Sequence, residues 1–208
     1  MQQTEADRRD DDLAKGLGLI GLLGCILVII ADLSGTLLSG HVGMIRDTIS
    51  DSAAGGEYDW LVDAGLYAFA GSAILIAAGL WRWKADGWDW RLGQFTLFAL
   101  AIVIALVAGY EAYNRPFGLP DIHRYLVYAI GALFPATIWL TSDGLADRRD
   151  WIKPAMRILA VVWIIAGPLL FVIPTSWDGL YERGLAVLMV GWFAVVAWLI
   201  YTRPGEAN

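Results

Sequence analysis

Apolar residues run along this chain in six long blocks, at 16–38, 60–81, 92–113, 122–140, 154–173 and 180–201. Each is close to the ~20 residues that an α-helix needs to cross a hydrocarbon core. A membrane β-barrel is written in alternating segments of about ten residues, whereas these blocks are long, apolar on every face and dotted with small residues. The pattern therefore predicts an all-α protein, a polytopic membrane bundle of about six transmembrane helices. Residues 1–15 form an acidic tail expected to be mobile, 16–202 the six-helix transmembrane domain, and 203–208 a second short tail. The first block does not read as a cleaved signal peptide: its flank "TEADRRDDDLAK" is mixed and acidic, and the block exceeds a typical signal core in length.

Composition agrees with this reading. Hydrophobic residues make up 58% of the chain and mean hydropathy is +0.55, too apolar for a domain whose surface must face water. The formal charge of -6 and pI near 4.8 leave no basic surface for phosphate counterion release, so nucleic acid is not an expected partner. The single cysteine, Cys25, rules out disulfides within the chain.

Lysines and arginines sort to one side if the termini are cytoplasmic. That side holds Arg8, Arg9, Lys15, Arg82, Lys84, Arg91, Arg148, Arg149, Lys153, Arg157 and Arg203, against Arg46, Arg115, Arg124 and Arg183 on the other. Both termini are thus expected inside, in a plasma (inner) membrane. Tryptophans of "WRWKADGWDWR" and Trp151 then lie at the inner interface, and Trp60 and Trp177 at the outer one, as an aromatic belt. Small residues, Gly16, Gly18, Gly21 and Gly24 on the first span and Ala64, Ala68 and Ser72 on the second, offer faces for close helix contact.

The polar residues converge on the outer side. Asp32 lies about six positions before the end of the first span, roughly 9 Å deep at 1.5 Å per residue. A carboxylate at that depth needs a partner or a wet cavity, either a structural bond to Ser34, Thr36 or a neighbouring helix, or a functional pocket shared with Asp63, Glu111 and Arg183. Glu111 and Arg115 also have the i,i+4 spacing of a local ion pair. His41 and His123, the only histidines, fall on the same side with Asp47, Asp51 and Asp121; such groups suit general acid/base work or a small nitrogen-and-oxygen metal site. Asp121 and Asp178 are candidate N-caps for the fourth and sixth spans. Arg46, Arg124 and Arg183 suit either an anionic lipid headgroup, gripped in bidentate fashion, or salt bridges to nearby acids. No nucleophile elbow, phosphate loop, zinc-protease or dinucleotide fingerprint is present.

Four stretches carry a resemblance: "TISD" (Thr48 to Asp51), the glycine-containing turn after it, His123 at the opening of the fourth span, and "GLYERG" (Gly179 to Gly184) at the opening of the sixth. In these the chain resembles the integral-membrane family catalogued as domain of unknown function 998. The resemblance implies about six transmembrane helices, assigns no activity, and points to Ser50, Asp51, His123, Glu182 and Arg183. The polar set also looks somewhat like that of the ceramidase and adiponectin-receptor hydrolases, in which a serine, an aspartate and three histidines hold zinc. With two histidines this chain cannot build that site, and carboxylates such as Asp51 or Asp32 would have to complete any coordination.

Two functions follow as expectations. One is an outer-face pocket that binds a lipid or amphiphile, with headgroup contacts from Arg46, Arg124, Glu182 and Arg183. Hydrolysis there would draw on Asp32, Ser50, Asp51 and His123, with no metal expected beyond the weak set His41, Asp51 and His123. The alternative is a non-catalytic accessory subunit packed within a larger membrane protein complex. Transport is the weaker expectation, since no inverted repeat or matched pair of broken helices is present.

Overall fold

The computed structural model describes residues 5–54, 56–83, 85–110, 121–146 and 149–202. Seven helices form among them: α1 (Glu5–Ser39), α2 (Ile49–Ser52), α3 (Asp59–Trp81), α4 (Trp88–Gly109), α5 (Ile122–Ala146), α6 (Ile152–Leu169) and α7 (Asp178–Tyr201). All but the one-turn α2 are long and apolar enough to cross a membrane. The protein is a multi-pass membrane protein with no strand among the described residues.

Helix boundaries depart from the apolar blocks where polar side chains are satisfied locally. The fourth block ends near Leu140, yet α5 continues to Ala146. Thr141 and Ser142 return their hydroxyls to the carbonyls of Thr137 and Trp139, and Asp143 is met by Lys153 Nζ at 2.9 Å and Arg157 Nη2 at 3.3 Å. At the other extreme α1 starts at Glu5, so the described part of the acidic tail is helical, and Asp10 accepts from Arg82 Nε at 3.2 Å.

The spans pack as a ring in the order α7, α1, α3, α4, α5, α6, with α6 touching α7 only lightly. Six crossings bring the start of α1 and the end of α7 to one end of the bundle; α2 marks the opposite end. Exposed Leu, Ile and Val side chains cover the outside of α1 and α6, as a lipid-facing surface requires. Trp60, Trp81, Trp88, Trp151 and Trp177 are exposed near the helix ends, where indole favours the interface. Trp83 and Trp90, expected in the same belt, instead turn into the core, Trp90 lying against Gly144.

Close approach depends on missing side chains. Gly24 faces Ser72 and Ala68 of α3, while Gly18 and Gly21 face Ala197 of α7. On α3 the contact residue is Gly65, seated on Ala31, and not Ala64, which is exposed. Positions 65, 68 and 72 share one helical face, so the small-residue stripe lies one residue from where Ala64 put it. Across the bundle, edge-to-face rings connect α3 to α6: Phe69 to Phe193 (4.9 Å between centroids), Phe193 to Trp192 (5.0 Å), Trp192 to Phe134 (5.7 Å) and Phe134 to Trp163 (4.5 Å).

Gly65→Leu, which forces a side chain into the α1–α3 contact, is expected to destabilise by ~1–3 kcal/mol or more, as overpacking does. Gly71→Leu, on the same helix with open space around its Cβ position, should be neutral. Thermal unfolding of both variants in one detergent measures the difference.

Candidate functional site

The loop between α1 and α3 folds around a single helical turn. Thr48 caps α2: its hydroxyl accepts from the Asp51 amide at 2.9 Å, and Asp51 Oδ2 accepts from the Thr48 amide at 2.8 Å, a reciprocal capping box. "TISD" is therefore a helix start. A helix this short is not stable alone, and it is held from outside. Glu182 of α7 accepts from the Ile49 amide at 2.6 Å and from the backbone of Ser50, and Ser52 Oγ lies 3.4 Å from Thr36 Oγ1 of α1.

Arg183, the next residue on α7, fastens the preceding loop. Its Nε and Nη2 grip Asp32 Oδ2 and Oδ1 at 2.9 and 3.0 Å. Nη2 also donates to Thr36 Oγ1 at 2.9 Å, and Nη1 to the carbonyls of Met44 (3.0 Å) and Asp47 (2.8 Å). All five guanidinium hydrogens thus find acceptors within the chain. The Arg183 and Asp32 side chains are only 11% and 13% exposed. Gly179, one turn earlier, has the Asp47 backbone where a Cβ would stand, and the Leu180 amide donates to the Ile45 carbonyl at 3.0 Å. Residues 179, 182 and 183 share one helical face, so "GLYERG" presents one side to residues 44–50.

His123, at the start of α5, completes the cluster. Its Nδ1 lies 2.8 Å from the Tyr110 carbonyl and its Nε2 lies 3.0 Å from Ser50 Oγ. A carbonyl only accepts, so Nδ1 carries the proton; in the neutral ring Nε2 is the acceptor and Ser50 the donor. The same hydroxyl is placed to donate to Glu182 Oε1 at 3.3 Å, so its one hydrogen has two acceptors in reach.

These groups line one end of a cavity of about 1060 Å³. Asp32, Ser50, Asp63, His123, Glu182 and Arg183 supply its charged and hydrogen-bonding groups at the α2 end. The remainder is largely apolar, walled mostly by α5, α6 and α7 with residues of α1, α3 and α4 completing it, and reaches the aromatic rings Phe69 and Trp163. It lies within the ring of spans, and α6 and α7, which touch only lightly, form part of its wall.

The other expected residues lie elsewhere. Arg46 pairs with Asp47 at 3.0 Å and Arg124 with Asp121 at 3.7 Å, both exposed guanidiniums. Asp121 does cap α5, accepting from the Arg124 amide at 3.2 Å. Asp178 does not cap α7: the Tyr181 amide bonds to the Trp177 carbonyl, so Trp177 holds the cap position and Asp178 is the first helical residue. His41 is exposed and bonds through Nδ1 to the Ser39 carbonyl, in contacts separate from those of His123. Among the described residues no three His, Cys, Asp or Glu side chains gather as a metal site. Glu111, Arg115, Lys84, Arg148 and Arg203 lie outside the described residues. Tyr110, Met44 and Asp47, which contribute through backbone carbonyls, carry no side-chain signal a sequence reading could have used.

Fold and cluster together define a six-span integral membrane protein with a polar group of residues at one end of an apolar cavity. The chain belongs to the family described as "Protein of unknown function (DUF998)", which it matches over residues 22–199. No curated protein and no solved structure matches the chain.

Removing one partner of a buried ion pair leaves the other uncompensated, at a cost of ~3–5 kcal/mol. Asp32→Asn and Arg183→Gln should each destabilise on that scale, and the double variant by much less than their sum, in a double-mutant cycle followed by thermal unfolding. Asp47 offers a pH test outside the spans. The Gly43 amide, then Arg46, hold its carboxyl below the usual carboxylate range. A lowered folded pKa adds stability that is present above that range and lost as pH falls through the lowered value. Limited proteolysis of the 40–48 loop should accelerate at acid pH, and Asp47→Asn should cleave at a rate nearly independent of pH.

Proposed function

We propose that this protein binds a lipid or similar amphiphile, with its hydrocarbon part in the cavity and its polar part at Ser50, His123 and Glu182. One observation carries this reading: the cavity is apolar along most of its length and polar at one end only. Its volume sits at the upper edge of the ~300–1,000 Å³ of ordinary small-molecule sites, which suits a long chain. The weak α6–α7 contact supplies a lateral route from the bilayer that does not break the rest of the bundle. Because the donors of Arg183 are taken by the protein, Arg46 and Arg124, each exposed and tied to one carboxylate, are the cations left at the α2 end, among the described residues, to meet an anionic headgroup. The α2 end faces away from the cytoplasm on this reading, since the basic residues collect at the other end.

Native mass spectrometry after gentle solubilisation should find a retained lipid mass. Gly131 lines the cavity, and a Cβ there meets nothing within 4 Å, so Gly131→Phe fills the space without a backbone clash. The variant should unfold at an unchanged temperature and lose most of the retained lipid. Full retention at unchanged stability would place the lipid outside the cavity and overturn the reading.

A further inference from the structure

Resting on that reading, we infer that Ser50 and His123 form a nucleophile and general-base pair that cleaves the ester of a long-chain acyl amphiphile held in the cavity. Three features separate the pair from an ordinary buried hydrogen bond.

The first is the direction of the proton. The Tyr110 carbonyl at 2.8 Å fixes hydrogen on His123 Nδ1, which leaves the Nε2 lone pair aimed at Ser50 Oγ, 3.0 Å away. That is the tautomer and distance a base needs to take a serine proton. The second is the state of Glu182. Its carboxylate accepts the backbone amides of Ile49 and Ser50, which fixes the turn, and the single Ser50 hydrogen has two acceptors in reach, Glu182 Oε1 at 3.3 Å and, along the shorter contact, His123 Nε2 at 3.0 Å. Glu182 acts as a positioning residue that holds the turn carrying Ser50. The third is placement. Ser50 and His123 both line the cavity, at its polar end, beside the apolar length where an acyl chain would lie.

The chemistry balances without a metal or redox partner. Ser50 Oγ bonds to the acyl carbon as its proton passes to His123 Nε2. The bond from that carbon to the ester oxygen breaks, and the departing alcohol takes the proton from His123. Water then attacks the acyl-serine, giving its proton to His123, which returns one to Ser50 Oγ as the carboxylic acid leaves.

The test uses the full chain in mild detergent with two probes, a long-alkyl and a short-alkyl fluorophosphonate, read by intact mass and peptide mapping. The expected result is one adduct, on Ser50, formed faster with the long probe. It should be absent in Ser50→Ala and slowed about 100-fold or more in His123→Gln, which keeps an amide to bond the Tyr110 carbonyl but has no base. Unfolding temperature serves as the folding control for both variants. A wild-type protein that retains lipid yet takes neither probe on Ser50 would overturn the inference while sparing the binding proposal. So would labelling of His123→Gln at the wild-type rate. Labelling of Ser50 by the short probe alone, with no retained lipid, would uphold the pair and discard the long-chain substrate.

Discussion

Arg183 joins three parts of the chain that have no other reason to meet. Its planar fork binds both oxygens of Asp32 on α1, and its remaining hydrogens hold Thr36 and the carbonyls of Met44 and Asp47. Lysine carries a comparable charge but three donors on a point ammonium, and could not serve this set of acceptors at once. A pair so enclosed is weak evidence for net stability, because desolvation opposes the Coulomb gain. What it fixes is geometry: with residues 44–47 tied down, Thr48 stands where a helix can start, and α2 carries Ser50 to His123.

The neighbouring residue on α7 completes that geometry by different means. Glu182 offers its carboxylate to the first amides of α2, and Gly179 leaves room for the Asp47 backbone to lie on the helix. Charge, capping and an absent side chain thus act from one helical face. Their combined effect is a hydrogen-bonded cover over one end of the bundle. Below it α6 touches α7 only lightly, so the cavity is bounded by bonded polar groups at one end and by a sparse helix contact along its side.

The six spans were legible because bilayer thickness sets helix length and hydropathy reports it directly. Where the apolar blocks misplace an end, the cause is local: Thr141, Ser142 and Asp143 look like a loop until their bonds to the previous turn and to Lys153 and Arg157 are seen. Asp32 and Arg183 could be placed at one depth, but the choice of partner among several charged residues needed the fold. Ser50 and His123 were both candidates, whereas their relation depends on the backbone carbonyl of Tyr110, which has no residue signature. Trp83 and Trp90 were read as interfacial because composition cannot tell which face of a helix end turns inward.

The separation of Asp32 from Arg183 along the chain, 151 residues, bears on how the protein is made. Spans enter the bilayer in order during synthesis, so Asp32 goes in with α1 and its arginine arrives only with α7. Every ribosome-bound intermediate short of α7 carries an uncompensated carboxyl in its first helix, and its α2 segment lacks the glutamate that caps it. A chain cut off after α6 would keep five hydrophobic helices and still leave this end of the bundle unmade. The end of the bundle that carries α2 therefore takes its native form only once α7 lies beside α1, since a polar group at that depth in lipid needs its partner.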